Sequence, residues 1–100
     1  MFEQSLLQLR QGVDIRKTLI DIKTLLGIEN NILVLKRTEG YSVEIFSELL
    51  ADSDPKVRKN AALILGMLNE PDSADILYNA YEDETTLFVK SSYLQALSYC

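Results

Sequence analysis

The stretch that decides the fold is Leu49-Leu50-Ala51-Asp52-Ser53-Asp54-Pro55-Lys56-Val57-Arg58-Lys59-Asn60-Ala61-Ala62-Leu63-Ile64-Leu65-Gly66-Met67-Leu68. Its first three residues end one helical pattern, Asp52 to Asp54 break it, and a second pattern opens at Pro55. Asp54 reads as an N-cap and Pro55 as the first helical residue, where a missing N–H removes no hydrogen bond. Val57, Ala61, Ile64, Leu65 and Leu68 then fall on one helical face. The same arrangement returns 32 residues later in residues 80–97, where the acidic turn Glu82-Asp83-Glu84-Thr85-Thr86 precedes a helix carrying Val89-Lys90 in place of Val57-Arg58. A two-helix unit recurring at this period cannot bury its apolar face alone and stacks on its neighbours.

Working outward, Ser42 can cap a helix whose apolar positions are Val43, Phe46, Leu49 and Leu50. Glu70-Pro71-Asp72 forms a turn, because the residue before proline is pushed out of helical geometry. Asp72 or Ser73 caps a helix with Ile76, Leu77, Ala80 and Tyr81, and Phe88 to Cys100 has the pattern of another. Toward the N-terminus, Ile15-Arg16-Lys17-Thr18-Leu19-Ile20 aligns with Val57-Arg58-Lys59-Asn60-Ala61-Ala62, preceded by an outer helix over Phe2 to Leu9. The offset there is ten longer, and Asn30 to Tyr41 supplies the difference. Its apolar Ile32-Leu33-Val34-Leu35 suits an additional helical turn better than a strand in an otherwise helical chain. The expected organisation is one unit, 1–100: repeat 1 over about 1–27, an irregular connection over 28–41, repeat 2 over about 42–70 and repeat 3 over about 72–100.

Composition narrows the function classes. Apolar residues make up 47% of the 100, as in a folded protein. The longest apolar run, Ala61 to Leu65, is too short to span a membrane, and Glu3 and Gln4 interrupt any secretory leader. One cysteine, Cys100, excludes an internal disulfide and fits a reducing cytoplasm. There is no histidine, which removes the usual general base and, with one cysteine, any Cys/His zinc site or dyad. Gly12, Gly27, Gly40 and Gly66 are isolated rather than grouped in a phosphate loop. No catalytic residue, cofactor site or metal site is assigned. Residues 1–40 hold six bases against five acids, whereas residues 41–100 hold four bases against ten acids. That acidic balance disfavours nucleic acid and favours a basic partner.

The string Leu49 to Leu68 resembles HEAT repeats and the related HEAT-like class. In that family an aspartate and proline occupy the intra-repeat turn, a valine and arginine open the inner helix, and paired small residues let helices approach. Residues 42–69 match closely. Residues 73–100 match more loosely, with Lys90 for the arginine, Thr86 for the aspartate and no proline, and residues 1–27 match in the Ile15-Arg16 helix alone. The resemblance implies an all-α fold, a right-handed α-solenoid of about three antiparallel helix pairs. It further implies that Arg16, Asp54, Arg58 and Lys90 form a structural ladder, each base bonding the aspartate or turn carbonyls of a neighbouring repeat. The other reading of that row is a basic strip for an anionic partner.

Ala61 and Ala62 read as close-packing positions. At the position of Ala61 the last repeat has Tyr93, so either its helix sits further out or the ring faces a surface covered by another chain or domain. Tyr78, Tyr81, Tyr93 and Tyr99 cluster late in the chain beside Glu82, Asp83 and Glu84. Two readings are open: core packing with hydroxyls reaching the surface inside a solvated acidic rim, or, since tyrosine is enriched at interface hot spots, a contact patch, for which this set is the candidate interaction surface. The function expected is a non-catalytic protein-interaction scaffold with a basic protein partner. The alternatives are the N-terminal, substrate-presenting arm of a larger enzyme acting on RNA or protein, and, third, a nucleic-acid-binding array. Ser98-Tyr99-Cys100 follow an apolar helix without polar capping, so further repeats or a downstream domain of the same chain are expected.

Overall fold

The computed structural model describes residues 1–100 as seven α-helices with no strand: α1 Glu3–Gln11, α2 Ile15–Leu26, α3 Asn31–Lys36, α4 Glu44–Ser47, α5 Pro55–Leu68, α6 Ser73–Asp83 and α7 Leu87–Leu97. A 3₁₀ turn, Glu48–Ala51, extends α4. Helices α2, α5 and α7 form one row, with α5 packed on both others. Helices α1, α4 with its 3₁₀ turn, and α6 form a second row, each against its sequence partner. The thinnest dimension is 19 Å, two helix diameters of about 10 Å. The fold is an all-helical repeat array, as the sequence implies.

Local chemistry sets the boundaries. Asp54 caps α5 by accepting the Lys56 N–H at 2.9 Å, with Pro55 in the first position. At the other end, Asn69 adopts φ 46° and its N–H reaches the Leu65 carbonyl. Gly12 closes α1 at φ 71° while the Val13 N–H reaches back to the Gln8 carbonyl at 2.9 Å, the six-to-one bond of a Schellman cap. Ser42 accepts the Glu44 N–H at 3.3 Å at the start of α4. The 42–51 helix is tighter than an α-pattern suggests: the chain must leave helical geometry at Asp52, which is extended, and a 3₁₀ turn tightens the last carbonyls before that exit.

Residues 31–36, within the stretch expected as an irregular connection, form α3. The buried Asn31 donates to the Leu25 carbonyl at 2.8 Å, fixing α3 to the end of α2. The Tyr41 hydroxyl donates to Glu70 at 2.8 Å and Lys36 approaches the same carboxylate at 3.5 Å. The segment is thereby held to the α5–α6 turn.

The core centres on α5, in which every residue from Asn60 to Gly66 is buried. A helix covered all round is one with neighbours on every side. The closest approach between helices lies at Gly66, where an added Cβ would stand 2.6 Å from the Ala96 carbonyl oxygen and 2.8 Å from its Cα. Ala61 and Ala62 are fully buried as well, but the spacing of α5 and α7 is set one turn later, by Gly66 and Ala96. Tyr93 therefore need not be small. It is fully buried, which corrects the expectation of a displaced helix or an outward-facing ring.

Candidate functional site

Each base of the row Arg16, Arg58 and Lys90 has a protein acceptor. Arg16 donates from Nε and Nη2 to one oxygen of Asp54, at 3.0 and 2.8 Å. Arg58 is bidentate on Glu84, Nε to Oε1 at 2.9 Å and Nη2 to Oε2 at 3.0 Å. Its Nη1 donates to the carbonyls of Asp52 and Ser53 at 2.8 and 3.2 Å. Lys90 donates to the Tyr81 carbonyl at 3.0 Å and sits 4.1 Å from the centre of the Tyr81 ring.

The two arginine pairs differ in kind. Arg16 and Asp54 are 53% and 28% exposed, whereas Arg58 and Glu84 are 16% and 4% exposed. The guanidinium of Arg58 holds the Glu84 carboxyl below its ordinary value, and Arg16 does the same for Asp54. Glu84 was expected on the interaction surface. It is instead a buried partner of Arg58, because position 86, where the family has aspartate, is a threonine with no charge to offer. Glu84 also accepts the Thr86 N–H at 3.0 Å, as Asp52 accepts the Asp54 N–H at 2.8 Å. Glu84 thus repeats the local role of Asp52, 32 residues on, and adds the ion pair. That spacing was available in the sequence, but it marked a turn, not a partner for Arg58.

Over this pair lies an open groove of about 600 Å³. The 3₁₀ turn supplies one wall, with Leu50 and Ala51, and α6 supplies the other, with Ile76 and Ala80. Arg58 and Glu84 lie at the seam between the walls, and the exposed Asp83 stands on the α6 side. Arg58 is committed to five acceptors on Glu84, Thr86, Asp52 and Ser53, which leaves Asp83 as the groove's unpaired formal charge. A second groove of about 320 Å³ separates α1 from α4, lined in part by Leu9, Ile45, Glu44 and Glu48. Both grooves lie between successive helices of the second row.

The remaining surface residues do not form one patch. At 100° per residue, Ile76, Ala80 and Asp83 share one flank of α6 and Tyr78 and Tyr81 the other. Tyr78 is 54% exposed, and the neighbouring Glu82 carboxylate raises its phenol above the usual range. Glu82 is exposed on the same helix, and Tyr99 is exposed after α7 with its hydroxyl 3.3 Å from Gln95. Tyr93 leaves the surface set altogether. Burial, with the charge of Glu84 beside it, pushes its phenol up to about 12, and its hydroxyl has no hydrogen-bond partner.

No group of three or more cysteine or carboxylate side chains gathers in a metal-holding arrangement, and no helix is long and apolar enough to cross a membrane. A family model described as HEAT repeats matches residues 30–98, a span running from α3 through α7. No curated protein and no solved structure matches the chain.

Proposed function

The chain belongs to the HEAT-repeat family, and from that membership we propose that it is a non-catalytic protein-interaction module that receives a segment bearing an apolar and a basic side chain between the 3₁₀ turn and α6. HEAT repeats serve generally as protein-interaction scaffolds. The observation that carries the reading is the groove itself: apolar walls from Leu50, Ala51, Ile76 and Ala80, with Asp83 unpaired at the side. An apolar anchor beside a charge it must satisfy is a common means of selecting a protein segment. The acidic balance of residues 41–100 supports a basic partner from a distance. The row of Arg16, Arg58 and Lys90 is a poor receptor for an anion, since each base already donates to protein oxygens.

Site-specific photo-crosslinking tests the proposal. A photoreactive residue at Ala80 should capture a partner from cell extract, Asp83→Lys in the same chain should abolish the adduct, and the same label at Lys17 on α2 should capture nothing comparable. Equal capture from both positions, or capture indifferent to Asp83→Lys, would remove the groove from the function.

A further inference from the structure

The two grooves are built alike, between successive helices of the second row. Each holds one arginine and two carboxylates: Arg58, Asp83 and Glu84 in the larger, Arg10, Glu44 and Glu48 in the smaller. In both, the arginine is committed to backbone carbonyls, Arg58 to Asp52 and Ser53 and Arg10 to Gly40. Each groove therefore has one more carboxylate than base. The carboxylate without a donor is Asp83 in the first, because Glu84 accepts from Arg58, and Glu48 in the second, because Glu44 accepts from the Ser42 hydroxyl. Both Asp83 and Glu48 are exposed. Apolar walls stand beside them: Leu50, Ile76 and Ala80 in one groove, Leu9, Ile45 and Leu49 in the other.

Both grooves flank the same short element. Helix α4 and its 3₁₀ turn give Ser47, Leu50 and Ala51 to the larger groove, and Glu44, Ile45, Glu48 and Leu49 to the smaller. The ridge between them carries no bulky apolar side chain at its edges: Ser47 and Ala51 are small, and Glu44 and Glu48 are charged. A segment can cross it without obstruction. Each groove already has a helix of this chain on both sides, α1 and α4 or the 3₁₀ turn and α6, so a neighbouring repeat would not fill it.

We propose, building on the larger groove as a partner site, that one extended polypeptide segment occupies both grooves, placing an apolar and a basic side chain in each. The bases meet Glu48 and Asp83, the two carboxylates that lack a donor. A helix is about 10 Å across, and the segment must span that distance over α4. A polyproline II helix rises about 3.1 Å per residue and returns to the same face every third residue, so positions three apart stand about 9 Å apart and reach the two grooves. A β-strand returns to one face every second residue, falling short at about 7 Å and overshooting at about 13 Å. The segment selected in this way repeats an apolar residue, a base and a spacer.

The probe is an acetylated, amidated peptide of two leucine-lysine-proline units. Its control has the second leucine replaced by serine, which keeps the charge. Titrated into nitrogen-15-labelled protein and followed by NMR, the two-leucine peptide should shift the amides of Ile45, Glu48, Ala80 and Asp83 together, with one Kd about tenfold below that of the control. Glu48→Lys should bring the two-leucine peptide to the affinity of the control. Glu29→Lys, the same charge change in an exposed turn that lines neither groove, should leave its binding unchanged. Shifts confined to Ala80 and Asp83, with both peptides bound equally, would overturn the two-groove segment and leave the larger groove as a partner site. Indifference to Glu48→Lys, or an equal loss in Glu29→Lys, would overturn it as well. No shift at either groove would remove both grooves from the function.

Discussion

Glu84, in the turn before the last helix, closes a bidentate ion pair on Arg58 of the preceding repeat at 2.9 and 3.0 Å, with its own side chain only 4% exposed. The pair joins α5 to the α6–α7 turn and forms the seam of the groove. Removing one member leaves the other charged and desolvated. Arg58→Ala should therefore lower unfolding free energy by about 3 kcal/mol, whereas Arg16→Ala, acting on an exposed, solvent-screened pair, should change it far less. Urea denaturation of both variants checks the contrast, and equal losses would mean that burial does not distinguish the two pairs.

The same carboxylates set an acid limit. Glu84 and Asp54 have folded-state pKa values below their ordinary ones, through Arg58 and Arg16 respectively. Each contributes stability that is fully present above the unfolded carboxylate pKa and is lost as pH falls through the folded one. The thermal midpoint should hold near neutrality and fall once pH drops below about 4.5, the ordinary glutamate value. Glu84→Gln should start lower at neutral pH and show a shallower acid decline. A decline as steep as in the wild type would assign the acid sensitivity to other groups.

Gly66 tests the packing of α5 on α7. In an open helix, alanine exceeds glycine in stability by about 1 kcal/mol. Here the new methyl would meet the Ala96 backbone at 2.6–2.8 Å, atoms that cannot move aside cheaply. Gly66→Ala should destabilise by about 1–3 kcal/mol. Ala96→Gly, which removes a further close contact at the Ala96 Cβ, 2.9 Å away, should recover only part of that loss because the backbone oxygen remains. A stabilised Gly66→Ala would show that the helices stand further apart.

Tyr93 offers the opposite sign. Its ring is fully buried, and its hydroxyl has no partner. A buried polar group without a hydrogen bond is unfavourable by on the order of 1–3 kcal/mol, so Tyr93→Phe should raise stability by about 1 kcal/mol. In an alkaline titration followed by tyrosine absorbance, the same substitution should delete a late component near pH 12. Destabilisation by the substitution would mean that the hydroxyl is bonded after all.

Much of the fold was legible because its signals are local. Asp54-Pro55 marks the start of α5, Glu70-Pro71-Asp72 the turn before α6, and the 32-residue echo the helix pairs. What escaped was relational. Gly66 looked like an isolated glycine, although it lies four residues beyond Ala62 on the same face, and its role depends on Ala96, 30 residues away. Glu84 looked like one acid among several, because nothing in its spacing names Arg58 as its partner. Tyr78 and Tyr81 share a helix face as their spacing of three requires, yet which face points into the groove depends on how α6 packs. The 3₁₀ turn at Glu48–Ala51 has no distinguishing composition, but it supplies a groove wall.

The most direct measurement is calorimetric titration of the captured partner segment into the wild-type chain, Asp83→Lys and Tyr78→Ala. With the segment seated between the 3₁₀ turn and α6, Asp83→Lys should weaken binding by about tenfold or more, and Tyr78→Ala, on the other flank of α6, should leave it unchanged. Full-strength binding by Asp83→Lys together with loss in Tyr78→Ala would contradict the groove and place recognition on the tyrosine flank.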